Sequence, residues 1–222
     1  MRLADTGPDG RLRVDGLARF LQDVATEDSE DAGLDAGATW VARRTSFQLA
    51  AGARWPVLGE TFELTTWCGG TGAAWAERRT DLTVDGTLQL ESAVLWVPLD
   101  AAGRPTRISP EFRERFGESC AGRRVSGRVA RTSPPAGATT RPWPLRRSDL
   151  DVIGHVNNAA VWEAIVELLD ASATSASVIH HGPLDAGDAV ELASVDGRLW
   201  LLVDGDVRVA AEFTTGPTDR SG

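Results

Sequence analysis

The chain has 222 residues, of which 42% are hydrophobic, and 23 Lys and Arg against 32 Asp and Glu give a formal net charge of −9. That apolar content suits a folded core and argues against a disordered chain, while the acidic balance argues against a nucleic-acid binder, which needs a basic face. The opening "MRLADTGPDGRLRVDG" has no apolar signal core, and runs such as "AVLWVPL" fall far short of a bilayer span.

The first element after the polar segment "RLADTGPDGRL" is a helix. Leu17, Phe20, Leu21, Val24 and Ala25 recur on one face, Asp23, Glu27 and Asp28 lie off it, and Gly33 is the expected stop. Four strands follow: "TWVARRTSFQLA", "ETFELTTWCGG", "AAWAERRTDLTVDG" and "TLQLESAVLWVPLD". Asp85-Gly86 marks a hairpin between the last two. From about Gly103 to Thr140 the composition shifts. "SPEFRERFGE" reads as a short capped helix and "GRRVSGRVARTSPPAGATT" as an exposed linker.

The second half repeats the order. "RPWPLRRSDLD" reads as a strand and a loop. Val161, Trp162, Ile165, Val166, Leu168 and Leu169 then give a broad apolar helix face, with Glu163, Glu167 and Asp170 mostly opposite. "SASVIHHGPLD", "DAVELASVDG", "RLWLLVDGD" and "VRVAAEFTTG" read as strands, with hairpins at Asp196-Gly197 and Asp204-Gly205. Each half is therefore expected as strand, helix and a meander of four strands. The fold class is α+β, a helix covering one face of an antiparallel sheet in each half. The expected units are residues 1–109, a short helix and linker at 110–140, and residues 141–222.

Chemistry concentrates in "RRSDLDVIGHVNNAAVW", where Asp151, His155, Asn157 and Asn158 lie within one short loop that runs into the second helix. Backbone N–H groups at a helix start carry partial positive charge and suit a carbonyl or oxyanion. Asp151 has the chemistry of a nucleophile or a general base, and His155 that of a group that holds water or orients Asp151. Plainer roles stand beside these: a turn-forming Asp, a structural His and an N-capping Asn. His180 and His181, adjacent on a strand, should face opposite sides, as surface or interface residues. Cys68 and Cys120 lack metal spacing and a nearby His, so neither is expected as a nucleophile. Two cysteines make no secreted disulfide scaffold, and a reducing cytoplasm is the expected home. Trp40, Trp67, Trp75, Trp96 and Trp200 are expected in the cores, and Trp162 in the core or bordering a ligand tunnel. The doublets Arg43–Arg44, Arg78–Arg79, Arg123–Arg124 and Arg146–Arg147 are expected on solvated faces.

The loop resembles that of the acyl-ACP thioesterases of the hotdog superfamily and, more loosely, the "DxDxxGHVNNxxY" loop of single-domain acyl-CoA thioesterases. "GRLRVDGLARFLQDVATEDSEDAGL" and "PLDAAGRPTRISPEF" resemble the opening and close of that family's first hotdog. The resemblance implies a double hotdog in one chain, a monomer or homodimer, with the active-site loop in the second half. It implies hydrolysis of acyl-ACP or acyl-CoA to a free fatty acid, with no metal or bound cofactor. Asp151 and His155 match the family's Asp and His. Ile153 stands at the family's Asn, and Leu184 or Asp185 stands nearest its strand Glu. The first half carries "ADTGPDGRLR", without His, in place of the loop. A non-catalytic acyl or pantetheine binder and a hotdog hydratase or dehydratase are the alternatives.

Overall fold

The computed structural model describes residues 1–33, 39–169 and 173–216. Leu34 and Asp170, and residues 217–222 of the expected second unit, lie outside them. Helix α1, Val14–Asp31, is followed by strands β1 (Thr39–Leu49), β2 (Glu63–Thr71), β3 (Ala76–Val84) and β4 (Thr87–Leu99). Helix α2 (Pro110–Cys120) leads through the linker to β5 (Thr139–Pro142). The second half continues with α3 (Asn158–Val161), α4 (Glu163–Val166), β6 (Ala173–His180), β7 (Val190–Val195), β8 (Arg198–Val203) and β9 (Asp206–Thr215).

All nine strands form one antiparallel sheet in the order β2-β3-β4-β1-β6-β9-β8-β7-β5. The hairpin signals translate directly into geometry. Asp85 and Gly86, Asp196 and Gly197, and Asp204 and Gly205 all take positive φ, as a tight turn matched to strand twist requires. The expected four-strand meander is corrected in both halves. Only β2-β3-β4 and β7-β8-β9 are meanders. β1 pairs with β4 and β6 pairs with β9, so the first strand of each run lies beside the last. The connections after β1 and β6 are too long for tight hairpins and let the chain cross to the far strand. β1 and β6 then pair with each other, Phe47 opposite Ala176, and join the halves edge to edge.

The first half has no strand before its helix. A 3-10 turn at Leu3–Asp5 and the isolated bridges Thr6↔Leu12 and Arg11↔Val57 occupy that place. Leu17, Leu21 and Ala25 are buried as the helical period requires, and Gly33 adopts φ 62° just past the helix end. Buried Asp15 is held by Arg13 and Arg19, each at 2.8 Å. Burial, the largest single effect, pushes its carboxyl pKa up, but the hydrogen bonds and charges of Arg13 and Arg19 together outweigh it and hold the pKa below its ordinary value.

The second helix departs most from its periodicity. It is two short turns meeting at Trp162, whose N–H donates to Ala159 O, while Ile165 N–H donates to Trp162 O. These three-residue bonds tighten the chain. Val161, Trp162, Ala164 and Ile165 are all buried, so the segment is enclosed on more than one side. It packs with α1 and the inner sheet face in one core shared by both halves. Phe47 of β1 stacks 5.8 Å from Trp162 and 5.3 Å from Trp55, and the Trp55 indole donates to Ala173 O.

Helix α2 is capped as expected, with Ser109 Oγ accepting from Phe112 N at 3.1 Å. Cys68 and Cys120, expected as reduced thiols, are joined in a disulfide that ties β2 to the end of α2. Ile108, Phe112 and Phe116 pack around it in a small second cluster. The linker is not free, although most of its side chains are exposed. Trp75 donates to Val125 O, Gly127 lies against the Trp75 ring, and Trp200 donates to Thr132 Oγ1. Two of the strand tryptophans thus strap the linker to the sheet. Trp200 is buried as expected, but Trp67, Trp75 and Trp96 are only partly so.

Candidate active site

Residues 146–158 form a braced loop. Buried Asp149 accepts from the Arg146 N–H and from Arg146 Nε, both at 2.8 Å. Arg146 reaches on to Glu163 in α4. These carboxylates raise the already high pKa of the guanidinium, the Asp149 bond contributing most. Asp149 O accepts from Asn157 N at 2.7 Å, which closes the base of the loop. Arg146 is thus an internal tie. The doublets Arg44, Arg78 and Arg79 also have carboxylate partners, in Glu77 and Asp28.

Above that base the chain makes a small hairpin. Leu150 bridges Val156, Asp151 N donates to His155 O at 2.8 Å, and Gly154 takes φ 86°. Asp151 Oδ1 accepts from the N–H groups of Ile153 at 3.0 Å and His155 at 3.2 Å. Among the described residues nothing donates to its Oδ2. The tip, Val152 and Ile153, is 103% and 59% exposed, so both side chains project largely into solvent.

His155 is oriented by a residue that sequence reasoning reached only as one of two choices. Its Nε2 lies 3.3 Å from Asp185 Oδ1, and the two residues also form a backbone bridge. Leu184, the other choice, turns into the core at 3% exposure, and its carbonyl accepts from Val156 N at 2.8 Å. Asp185 N in turn donates to Asp188 Oδ2. The acidic side chain beside His155 is thus Asp185, while the Asp151 carboxylate, among the described residues, meets backbone N–H groups, one of them that of His155.

Asn157 is the N-cap of α3, its Oδ1 accepting from Ala159 N at 2.8 Å. The next N–H, that of Asn158, has no acceptor among the described residues. Asn158 and Trp162 border a narrow, mainly apolar cleft between α1 and the sheet, lined also by Leu21, Gln22, Thr45 and Trp96. The Trp96 indole N–H is sealed from solvent and has no partner among the described residues. The loop thus brings a His–carboxylate pair, a second carboxylate and an unpaired backbone donor to within a few residues of one apolar cleft.

Comparisons with known proteins extend this picture across both halves. The family model for the acyl-ACP thioesterase N-terminal domain matches residues 1–116, and that for the C-terminal domain matches residues 133–192. An uncharacterized protein of Mycobacterium tuberculosis is 28% identical over 95% of this chain and 88% of its own length. The solved structure of a 12:0-ACP thioesterase from Umbellularia californica superposes with TM-score 0.82 at 19% identity, covering 96% of this chain and 94% of that one. That of a putative oleoyl thioesterase from Lactobacillus plantarum gives 0.80 at 18% identity, covering 97% and 94%. Among the described residues no helix is long and apolar enough to cross a membrane. With both of its halves matched, the chain belongs to the acyl-ACP thioesterase family.

Proposed function

We propose that the chain hydrolyses acyl thioesters of ACP or CoA to the free fatty acid, using the loop that carries Asp151 and His155. The observation that carries this reading is the His155–Asp185 pair, with His155 three residues before Asn158, which lines the cleft. In the mechanism we infer, the acyl chain lies along the cleft between α1 and the sheet. His155 Nδ1 takes a proton from water, and Asp185, which faces Nε2, holds the imidazole and balances the imidazolium that forms. The water oxygen attacks the thioester carbonyl. The Asn158 N–H donates to the oxyanion, and the carrier thiolate leaves with the proton returned by His155. Asp151 positions His155 by fixing the hairpin. A second reading rests on the unpartnered Asp151 Oδ2: attack on the carbonyl by Asp151 itself, with an acyl-enzyme anhydride then hydrolysed.

The same reading divides the chain into a first hotdog at 1–109, a helix and linker at 110–140, and a second hotdog at 141–222 that carries the chemistry, in a monomer or homodimer. The experiment is release of free thiol from a panel of acyl-ACP and acyl-CoA thioesters, with His155→Ala and Asp185→Asn beside the wild type. Turnover that falls about 10²–10⁴-fold in His155→Ala supports the reading. Hydration of a crotonyl thioester without thiol release would instead make the chain a hydratase. Tight acyl-CoA binding with no turnover on any thioester would make it a binding protein.

A further inference from the structure

Three positive residues meet where the two halves join, and the sheet bends to bring two of them there. Arg43 is the extra residue of a β-bulge in β1, between Ala42 and Arg44. Arg208 is the extra residue of a bulge in β9, because Leu201 pairs with Val209 and Leu202 with Val207. Bulges re-aim side chains that regular pairing would point elsewhere. These two lie on strands that flank β6 on either side, next to its end at His180. Arg43 donates to His180 O. Arg208 O accepts from His181 N at 2.7 Å and from Gly182 N at 3.3 Å. Gly182 leaves room for the guanidinium: a Cβ there would sit 3.1 Å from Arg208 Nη1.

Four ring and guanidinium nitrogens of this cluster lack partners among the described residues. His180 Nε2, both ring nitrogens of His181 and Arg208 Nε are sealed from solvent without a hydrogen bond. Such atoms are costly to bury and rare in native structures. Among the described residues no carboxylate forms an ion pair with Arg43, Arg131 or Arg208, in a protein whose net charge is −9. The charges that shift Arg43 and His181 are positive. Burial lowers the pKa of His181, and Arg43 and Arg131 of the linker lower it further. Arg43 is lowered by burial and then by Arg131. Of the two expected placements, surface or interface, the histidines take the second: both are partly buried where the halves join, with the unpartnered ring nitrogens sealed from solvent.

We propose that Arg43, His181 and Arg208, with Arg131 from the linker, form an anion site that takes the phosphate ester of the thioester carrier. The anion supplies the missing acceptors and counter-charge, for which guanidinium is the suited donor. Assignment to the carrier rests on the thioesterase reading and on distance. Asp185, the partner of His155, lies four residues on from His181, a span of at most about 14 Å of extended backbone. That is within the reach of a phosphopantetheine arm whose thioester lies at His155.

The test is calorimetric binding of 4′-phosphopantetheine, pantetheine, CoA and inorganic phosphate to the full chain, its Arg43→Gln and Arg208→Gln variants, and Arg131→Gln. The last changes an exposed linker residue and guards against misfolding of the first two. The wild type should bind phosphopantetheine about tenfold or more tightly than pantetheine. Each Gln variant should shrink that ratio while leaving pantetheine binding unchanged. CoA binding no tighter than phosphopantetheine would place the arm's own phosphate in the site, as proposed. A large further gain with CoA that the Gln variants abolish would assign the site to the nucleotide phosphates and overturn the arm's phosphate as its ligand. Equal binding of phosphopantetheine and pantetheine overturns the proposal, as does a preference that survives all three variants. Inorganic phosphate alone binding, without that preference, overturns the assignment to the carrier. The readout needs no hydrolysis. A chain inert toward thioesters that keeps the preference therefore fails the thioesterase reading and retains the site.

Discussion

Asp151→Asn keeps the oxygen that accepts from Ile153 and His155 and removes the charge and the nucleophile; Asp151→Ala removes all three. The two accepted bonds, at 3.0 and 3.2 Å, are of ordinary and long geometry on a partly exposed side chain. At about 1 kcal/mol net each, Asp151→Ala should cost the loop about 2 kcal/mol of order. If Asp151 only positions His155, that cost corresponds to about a 30-fold drop in kcat/KM. Asp151→Asn retains both acceptors and should lose only a few-fold. If Asp151 is the nucleophile or base, both variants should fall about 10²–10⁴-fold together. The assay is thiol release at saturating and subsaturating acyl thioester, with near-UV circular dichroism to show that each variant is folded. An asparagine variant as inactive as the alanine variant, and equally well folded, would refute the positioning role and place the carboxylate in the chemistry.

Three further outcomes are expected. Cys68→Ser or Cys120→Ser opens a loop of 52 residues, for which the chain-entropy estimate is about 4 kcal/mol; urea midpoints should fall accordingly, and unchanged midpoints under reductant would show that the bridge adds nothing in solution. Burial, with Arg43 and His181 adding repulsion, holds His180 down to about 4, below the ordinary value of 6.5, so it is neutral in the folded chain. The unfolded chain takes up that proton first as pH falls. The stability His180 gives is therefore full above about pH 6.5 and lost toward pH 4, about 3 kcal/mol in all. His180→Gln should flatten the pH dependence of stability in phosphate-free buffer, and an unchanged slope would assign it to other groups. Asn157→Ala should cost about 1 kcal/mol through loss of the N-cap, and a substitution that leaves stability intact but abolishes turnover would give Asn157 a chemical role.

Local chemistry was legible where one residue type has one conformational consequence. The three Asp-Gly turns, the Ser109 cap and the buried face of α1 were each read from a few adjacent residues, because hairpin and helix geometry is decided over that range. The order of strands was not. A meander and a run whose first strand pairs with its last have the same period of two, and only the length of the connections after β1 and β6 distinguishes them. The broken second helix was illegible for a related reason. Burial on several sides produces the same broad apolar stripe whether the turns are of four residues or three.

At the site, the loop was legible as a compact polar sequence, but its internal wiring was not. Asp149 and Asp151 are alike in sequence, two residues apart in "DLD". Register decides that the first is buried against Arg146 and the second caps the hairpin. Asp185 is fixed by the backbone bridge to His155, which turns Leu184 inward and Asp185 outward; a slip of one residue would exchange them. Register hides the seam in the same way. Arg43 and Arg208 look like ordinary strand residues until a bulge on each strand gives the chain one residue too many. Alternation then no longer says which way a side chain points. A buried cluster of positive groups can be assembled at such a place without leaving any motif in the sequence.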